Sequence, residues 1–98
     1  LIQAAKLDHS GWSIVGCDSE EPKEAEWSDS PIAGLAQAAI DGNLTTFWHS
    51  QWDKAQPGYP HWFIVDMGRE YVISSFVCYR RQGNNGGQTE HKFEVSLD

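Results

Sequence analysis

Four short apolar runs constrain what this chain can fold into more than any other feature. Gly11 to Gly16, Trp62 to Met67, Ile73 to Arg80 and Lys92 to Leu97 are rich in β-branched and aromatic residues, and turn formers separate them. Runs of this kind predict strands, and several in so short a chain predict an all-β sandwich or barrel. Side chains alternate across a strand, so Trp62, Ile64 and Asp66 share one face and Phe63 and Val65 the other. Phe63 and Val65 are expected to face the core. The segment PIAGLAQAAI, from Pro31 to Ile40, has helix-friendly composition, but Gly34 and its length limit it to one or two turns. The stretches from Asp18 to Ser30, Asp53 to Pro60 and Gln82 to Thr89 are polar or rich in Gly, Pro and Asn, and they read as loops. Polar loops punctuated by aromatics on a small β scaffold are where binding residues usually reside.

The chain has 98 residues, room for one domain. Five of them are Trp, too many for so small a core to bury completely, so some are expected at the surface as stacking platforms. The formal charge of -7 argues against a nucleic-acid partner, whose phosphates would be repelled. No apolar run approaches the ~18 residues needed to cross a bilayer. Because the sequence starts at Leu1, it is expected to be a mature segment cut from a longer chain. Cys17 and Cys78 each lie in an apolar run and read as two small buried thiols, with no Cys/His spacing that suggests zinc.

The stretch richest in chemistry is AAIDGNLTTFWHSQW, from Ala38 to Trp52. Asp41, Gly42 and Asn43 form a tight turn with Thr45 and Thr46 close behind, so carboxylate, carbonyl and hydroxyl oxygens can converge. Hard oxygen donors suit calcium, although an Asx-type turn closed by Asp41 on nearby amides uses the same residues. His49 and Trp52 follow, and Arg81 stands at the end of a strand run before a Gly-rich loop. His49 alone could be structural, and Arg81 could serve only as a salt-bridge partner for the surplus acid. Together, however, an aromatic plane and oriented polar groups are what a sugar requires, one for its C–H face and the others for its hydroxyl edge.

Four strings in order, AIDGNLTTFWHSQW, PGYPHWFIVDMG, ISSFVCYRRQ and HKFEVSLD, resemble the coagulation factor 5/8 type C or discoidin family. Within it the likeness is greatest to family 32 carbohydrate-binding modules of bacterial glycosidases. The resemblance implies a jelly-roll β-sandwich of about eight strands with the ligand site on loops at one end. It implies a structural calcium held by the carbonyl of Ala38, the carboxylate of Asp41, the carbonyl of Asn43 and both oxygens of Thr46. It implies a galactose or N-acetylgalactosamine-like terminal sugar stacked on Trp52, with His49 and Arg81 bonding its hydroxyls. A glutamate from the acidic loop, Glu26 or Glu24, would join them. The family's disulfide joins the domain's ends, which implies that Cys17 and Cys78 are not bridged.

Family members continue beyond the position of Asp98, so residues 1–98 are expected to be one module incomplete at its carboxyl end. By the same resemblance it is a non-catalytic accessory of a glycoside hydrolase, such as a hexosaminidase or sialidase, at an extracellular, periplasmic or cell-surface location. The alternative is a discoidin module for adhesion, protein or membrane binding. Acid in the loops disfavours anionic membranes, which attract Lys and Arg. Catalysis is not expected, because no nucleophile elbow, metalloprotease spacing or phosphate loop occurs.

Overall fold

A computed structural model describes residues 6–81 and 90–97. Strand β1 (Ser13–Cys17) pairs antiparallel with β2 (Phe63–Asp66). Ser13 lies opposite Asp66, Ile14 opposite Val65, Gly16 opposite Ile64 and Cys17 opposite Phe63, and Val15 is the extra residue of a bulge. One face of the ribbon carries Ile14, Val65, Cys17 and Phe63, all half-buried, so Phe63 and Val65 take the inward face expected for them. Trp62, Ile64 and Val15 are exposed.

Just past β1 the chain is clamped again. The Asp18 amide donates to the Trp62 carbonyl (3.1 Å) and the Trp62 amide donates to Asp18 Oδ1 (2.7 Å). Asp18 Oδ2 lies 2.8 Å from His61 Nδ1. Desolvation opposes the charged carboxylate here, but the Trp62 amide and the His61 ring outweigh it and hold the Asp18 carboxyl below its ordinary range. The loop that leaves this clamp therefore starts from a fixed point.

Two short 3-10 helices follow. Pro22–Trp27 falls where the composition reads as loop. Its start is nevertheless encoded, with Glu21 as N-cap accepting from the Lys23 amide and Pro22 in the first turn, where a missing N–H costs nothing. Ala36–Ala39 is a single short turn, within the one or two that PIAGLAQAAI allows. Its small residues pack tightly, and Ala33, Ala36 and Ala38 are the buried apolar centre.

The runs Ile73 to Arg80 and Lys92 to Leu97 form no strand among the described residues, contrary to the expectation. Alternating apolar residues record a wish to bury one face, but a strand exists only through a hydrogen-bonded neighbour. Phe76 and Phe93 instead stack on each other (4.4 Å between centroids, 11° between planes), while Val72, Val77, Val95 and Leu97 stay exposed. For the same reason Cys78 is exposed rather than buried. Cys17 is half-buried.

Candidate functional site

Three segments meet at Gly34. Its carbonyl accepts from the amides of Glu21 (3.2 Å) and His49 (3.1 Å), and its own amide donates to the Phe47 carbonyl (2.9 Å). These bonds make a parallel bridge between Gly34 and Trp48 and tie the acidic loop to the FWHSQW segment. Only glycine suits the position. Its φ is +88°, and an added Cβ would lie 1.9 Å from the Glu21 carbonyl oxygen and 2.8 Å from Glu24 Cβ.

Glu21 is the second tie. Its side chain is buried, yet every oxygen is used: Oε1 accepts from the Trp52 amide (2.8 Å) and the Asp53 amide (2.7 Å), and Oε2 from the Lys23 amide (3.2 Å). The Trp52 and Asp53 amides, more than the nearby His49 ring, hold its carboxyl below the ordinary glutamate range. Ser19 adds two bonds, its hydroxyl accepting from the Gln51 amide (2.7 Å) and its carbonyl from Trp48 Nε1 (2.8 Å). Trp48 also meets Phe63 of β2 edge to face, with centroids 5.0 Å apart. The indole of Trp48 is therefore an anchor between loop and sheet.

Its neighbours form two clusters. In one, the Arg81 guanidinium lies 4.0 Å from the centre of the Phe47 ring, and Phe47 lies 6.4 Å from the His49 ring. His49 Nδ1 is 2.7 Å from the Ser50 carbonyl. A carbonyl can only accept, so Nδ1 carries the proton and Nε2 of the neutral ring is an acceptor. A donor fork and an acceptor nitrogen thus flank one phenyl ring. In the other cluster, Trp52 Nε1 donates to Glu24 Oε1 (3.0 Å), Lys23 Nζ is 5.9 Å from the Trp52 ring centre, and Trp27 is 6.1 Å away at 34°. Lys23 is held there by a salt bridge to Asp53 (3.0 Å). Glu24 therefore meets Trp52 directly. Glu26 is exposed and lines a depression with Lys23, Gln51 and Asp53.

The Asp41 turn is closed as its residues suggest. Gly42 takes φ +75°, Asp41 Oδ1 accepts from the Asn43 amide (2.8 Å), and the Thr46 hydroxyl donates to Asp41 Oδ2. That hydroxyl also lies 3.1 Å from the Asn43 carbonyl, and Thr46 is buried. Oxygens of Asp41, Asn43 and Thr46 thus converge, one turn after the buried Ala38. Among the described residues no group of three or more His, Cys, Asp or Glu could hold a metal. Any ion here would rest on carbonyl and hydroxyl oxygens around a single carboxylate.

Residues 7–98 match the F5/8 type C domain family. The chain belongs to that family. It is 40% identical over 99 residues to a sialidase of Micromonospora viridifaciens, a match covering 99% of the chain and 14% of that enzyme. It is also similar to the crystal structure of the C-terminal domain of a chitobiase from Bacteroides fragilis. That alignment has a TM-score of 0.55 at 37% identity and covers 66% of this chain and 41% of the other. Membership gives the F5/8 type C domain a discoidin-like β-sandwich fold, of which β1 and β2 are an antiparallel part. It also makes the domain an accessory module of the kind found in glycosidases, not itself catalytic.

Several residues that organise the F5/8 domain's loop cluster escaped the reading of the sequence. Glu21 looks like one acid among many in EEPKEAEW, and nothing local says that its carboxylate will cap three amides. Gly34 reads as a helix weakener, whereas it is the crossing point of two loops. Phe47 lies inside the motif, but its part as the surface beneath Arg81 depends on a contact between distant segments.

Proposed function

We propose that this F5/8 type C domain is a carbohydrate-binding module that holds a neutral terminal sugar, galactose or N-acetylgalactosamine-like, and delivers an attached glycoside hydrolase to glycans outside the cell. The observation that carries the reading is the arrangement of Arg81 and His49 about Phe47, a fixed donor fork beside a ring nitrogen left as acceptor. Vicinal hydroxyls both donate and accept, and this pair can answer both. Trp52, whose indole nitrogen is occupied by Glu24, offers ring surface for the apolar sugar face. Glu21 and Glu24 bond the Trp52 amide and indole with Asp53 next in the chain, and these acids would repel carboxylated or sulfated sugars. A monosaccharide has few heavy atoms, so affinity between ~10 µM and ~1 mM, or roughly -7 to -4 kcal/mol, is expected.

Calorimetry with galactosides tests this. Arg81→Ala is expected to abolish detectable binding, because sugar hydroxyls lose their charged donor. Trp52→Ala is expected to cost about 1 to 3 kcal/mol through lost ring contact. Undiminished binding by both variants would place the sugar elsewhere. A parent domain that binds liposomes or a protein but no glycan would overturn the reading altogether.

The same proposal includes a structural calcium, held by the Ala38 carbonyl, the Asp41 carboxylate, the Asn43 carbonyl and Thr46. Oxygen-only donors converging on the Thr46 hydroxyl support it, since calcium prefers such a set. An ion that binds only the native state at about 100 times its Kd stabilises by about 2.7 kcal/mol. Excess chelator is therefore expected to lower the melting temperature by several degrees, with recovery on adding calcium but not magnesium. An unchanged melting curve, with no metal found by elemental analysis, would refute it.

A further inference from the structure

Trp27 is a large apolar side chain left 67% exposed at the end of the 3-10 helix Pro22–Trp27. Burial does not explain it, yet its position is specified. In a 3-10 helix residues three apart lie above one another, so Glu24 and Trp27 share a face. Glu24 holds the Trp52 indole nitrogen (3.0 Å), and Trp27 accordingly stands against Trp52, with centroids 6.1 Å apart and planes inclined by 34°. The Glu21 cap fixes both ends of this arrangement, because one carboxylate bonds the helix's first turn and the Trp52 amide. Two indoles are thus placed side by side by a helix that does little else.

Beyond Trp27 the surface falls into an open depression of about 530 Å³ walled by Ser28, Asp29, Ser30, Asn43, Thr45 and Thr46. Its lining is hydroxyl, carboxylate and amide, with Trp27 at its edge. The depression is open, and like small-ligand sites it sets an apolar edge beside a few polar groups. Asp29 lines it and no cationic side chain does, so an anionic occupant is disfavoured and a neutral one fits.

We infer that Trp27 is a second stacking platform, and that the domain recognises at least two adjacent neutral pyranoses, the second lying on Trp27 with its hydroxyls toward Asp29 and Ser30. This rests on the proposal that Trp52, His49 and Arg81 hold the first sugar, and it adds a specificity that a terminal monosaccharide cannot express. Trp27 acts by touching the ligand and leaves the first sugar's contacts alone.

The test compares galactose with lactose and N-acetyllactosamine by calorimetry on the parent, Trp27→Ala and Trp27→Phe. Ring contact of this kind supports a gain of about tenfold. The better disaccharide is expected to bind the parent about tenfold tighter than galactose does. Trp27→Ala should erase that gain without changing the Kd for galactose, and Trp27→Phe should keep most of it. Since Trp27 is mostly exposed, the melting temperature of each variant should stay near the parent's. If galactose binds but neither disaccharide binds tighter, or if Trp27→Ala keeps the gain, the second platform is refuted while the sugar site stands. Equal weakening of all three sugars would assign Trp27 to the first site and also refute it. A parent that binds none of them sinks the proposed function itself, and the second platform with it.

Discussion

Gly34→Ala is expected to destabilise the domain by about 2 to 5 kcal/mol and to remove glycan binding with it. The methyl group would sit inside the Glu21 carbonyl oxygen, at 1.9 Å, and backbone cannot turn aside as a side-chain tip can. A left-handed conformation costs an alanine about 1 to 2 kcal/mol by itself. Relieving the overlap means giving up the bonds from the Glu21 and His49 amides to the Gly34 carbonyl, each worth about 0.5 to 1.5 kcal/mol. Since those amides position the acidic loop and the His49 segment, recognition should fail even in molecules that remain folded. Thermal melts with glycan calorimetry decide it, and a variant that melts and binds as the parent does would show that the crossing is not needed.

Glu21→Ala is the second large effect expected, with a fall in melting temperature on the order of 10 °C and loss of binding by Trp52. Alanine leaves the amides of Lys23, Trp52 and Asp53 without their acceptor in a place where the parent side chain is buried. Glu21→Gln should fall between, since one amide oxygen can still serve Trp52 and Asp53 while its NH2 group faces the Lys23 amide. The pH dependence follows from the depressed carboxyl. An unfolded glutamate titrates near about 4.3, so the ionised Glu21 contributes fully above that value and loses its contribution as pH falls through its lower folded pKa. Melting curves of the parent and Glu21→Ala should therefore lie furthest apart at neutral pH and converge below about pH 4. Constant separation from pH 7 to pH 3 would show that the carboxylate charge is irrelevant.

Sequence and structure agree where a pattern is local. The alternation in WFIVD gives β2 and its inward Phe63 and Val65, and Asp41-Gly42-Asn43 gives a turn closed by its own side chains. The four strings taken in order, from AIDGNLTTFWHSQW to HKFEVSLD, also point to the family that the chain belongs to. Agreement ends where a residue's part depends on what folds over it. Phe76, Val77 and Phe93 have strand composition but no ladder partner among the described residues. Pro22–Trp27 carries a cap and a proline at its start, signals that an acidic composition hides. Glu26 and Glu24 cannot be ranked from spacing, and it takes the Trp52 indole to single out Glu24 as its partner.

The inward turn of Trp48, between Phe47 and His49, has a practical consequence for redirecting specificity. Its indole N–H is committed to the Ser19 carbonyl and its ring edge to Phe63, so varying this position would undo the loop's attachment to the sheet. Phe47, His49 and Trp52 do not carry that attachment through their rings. A combinatorial library randomised at those three codons, with Trp48, Glu21 and Gly34 held constant, would keep its members folded while sampling new ligand preferences. The same library with Trp48 included should yield mostly clones lost to misfolding.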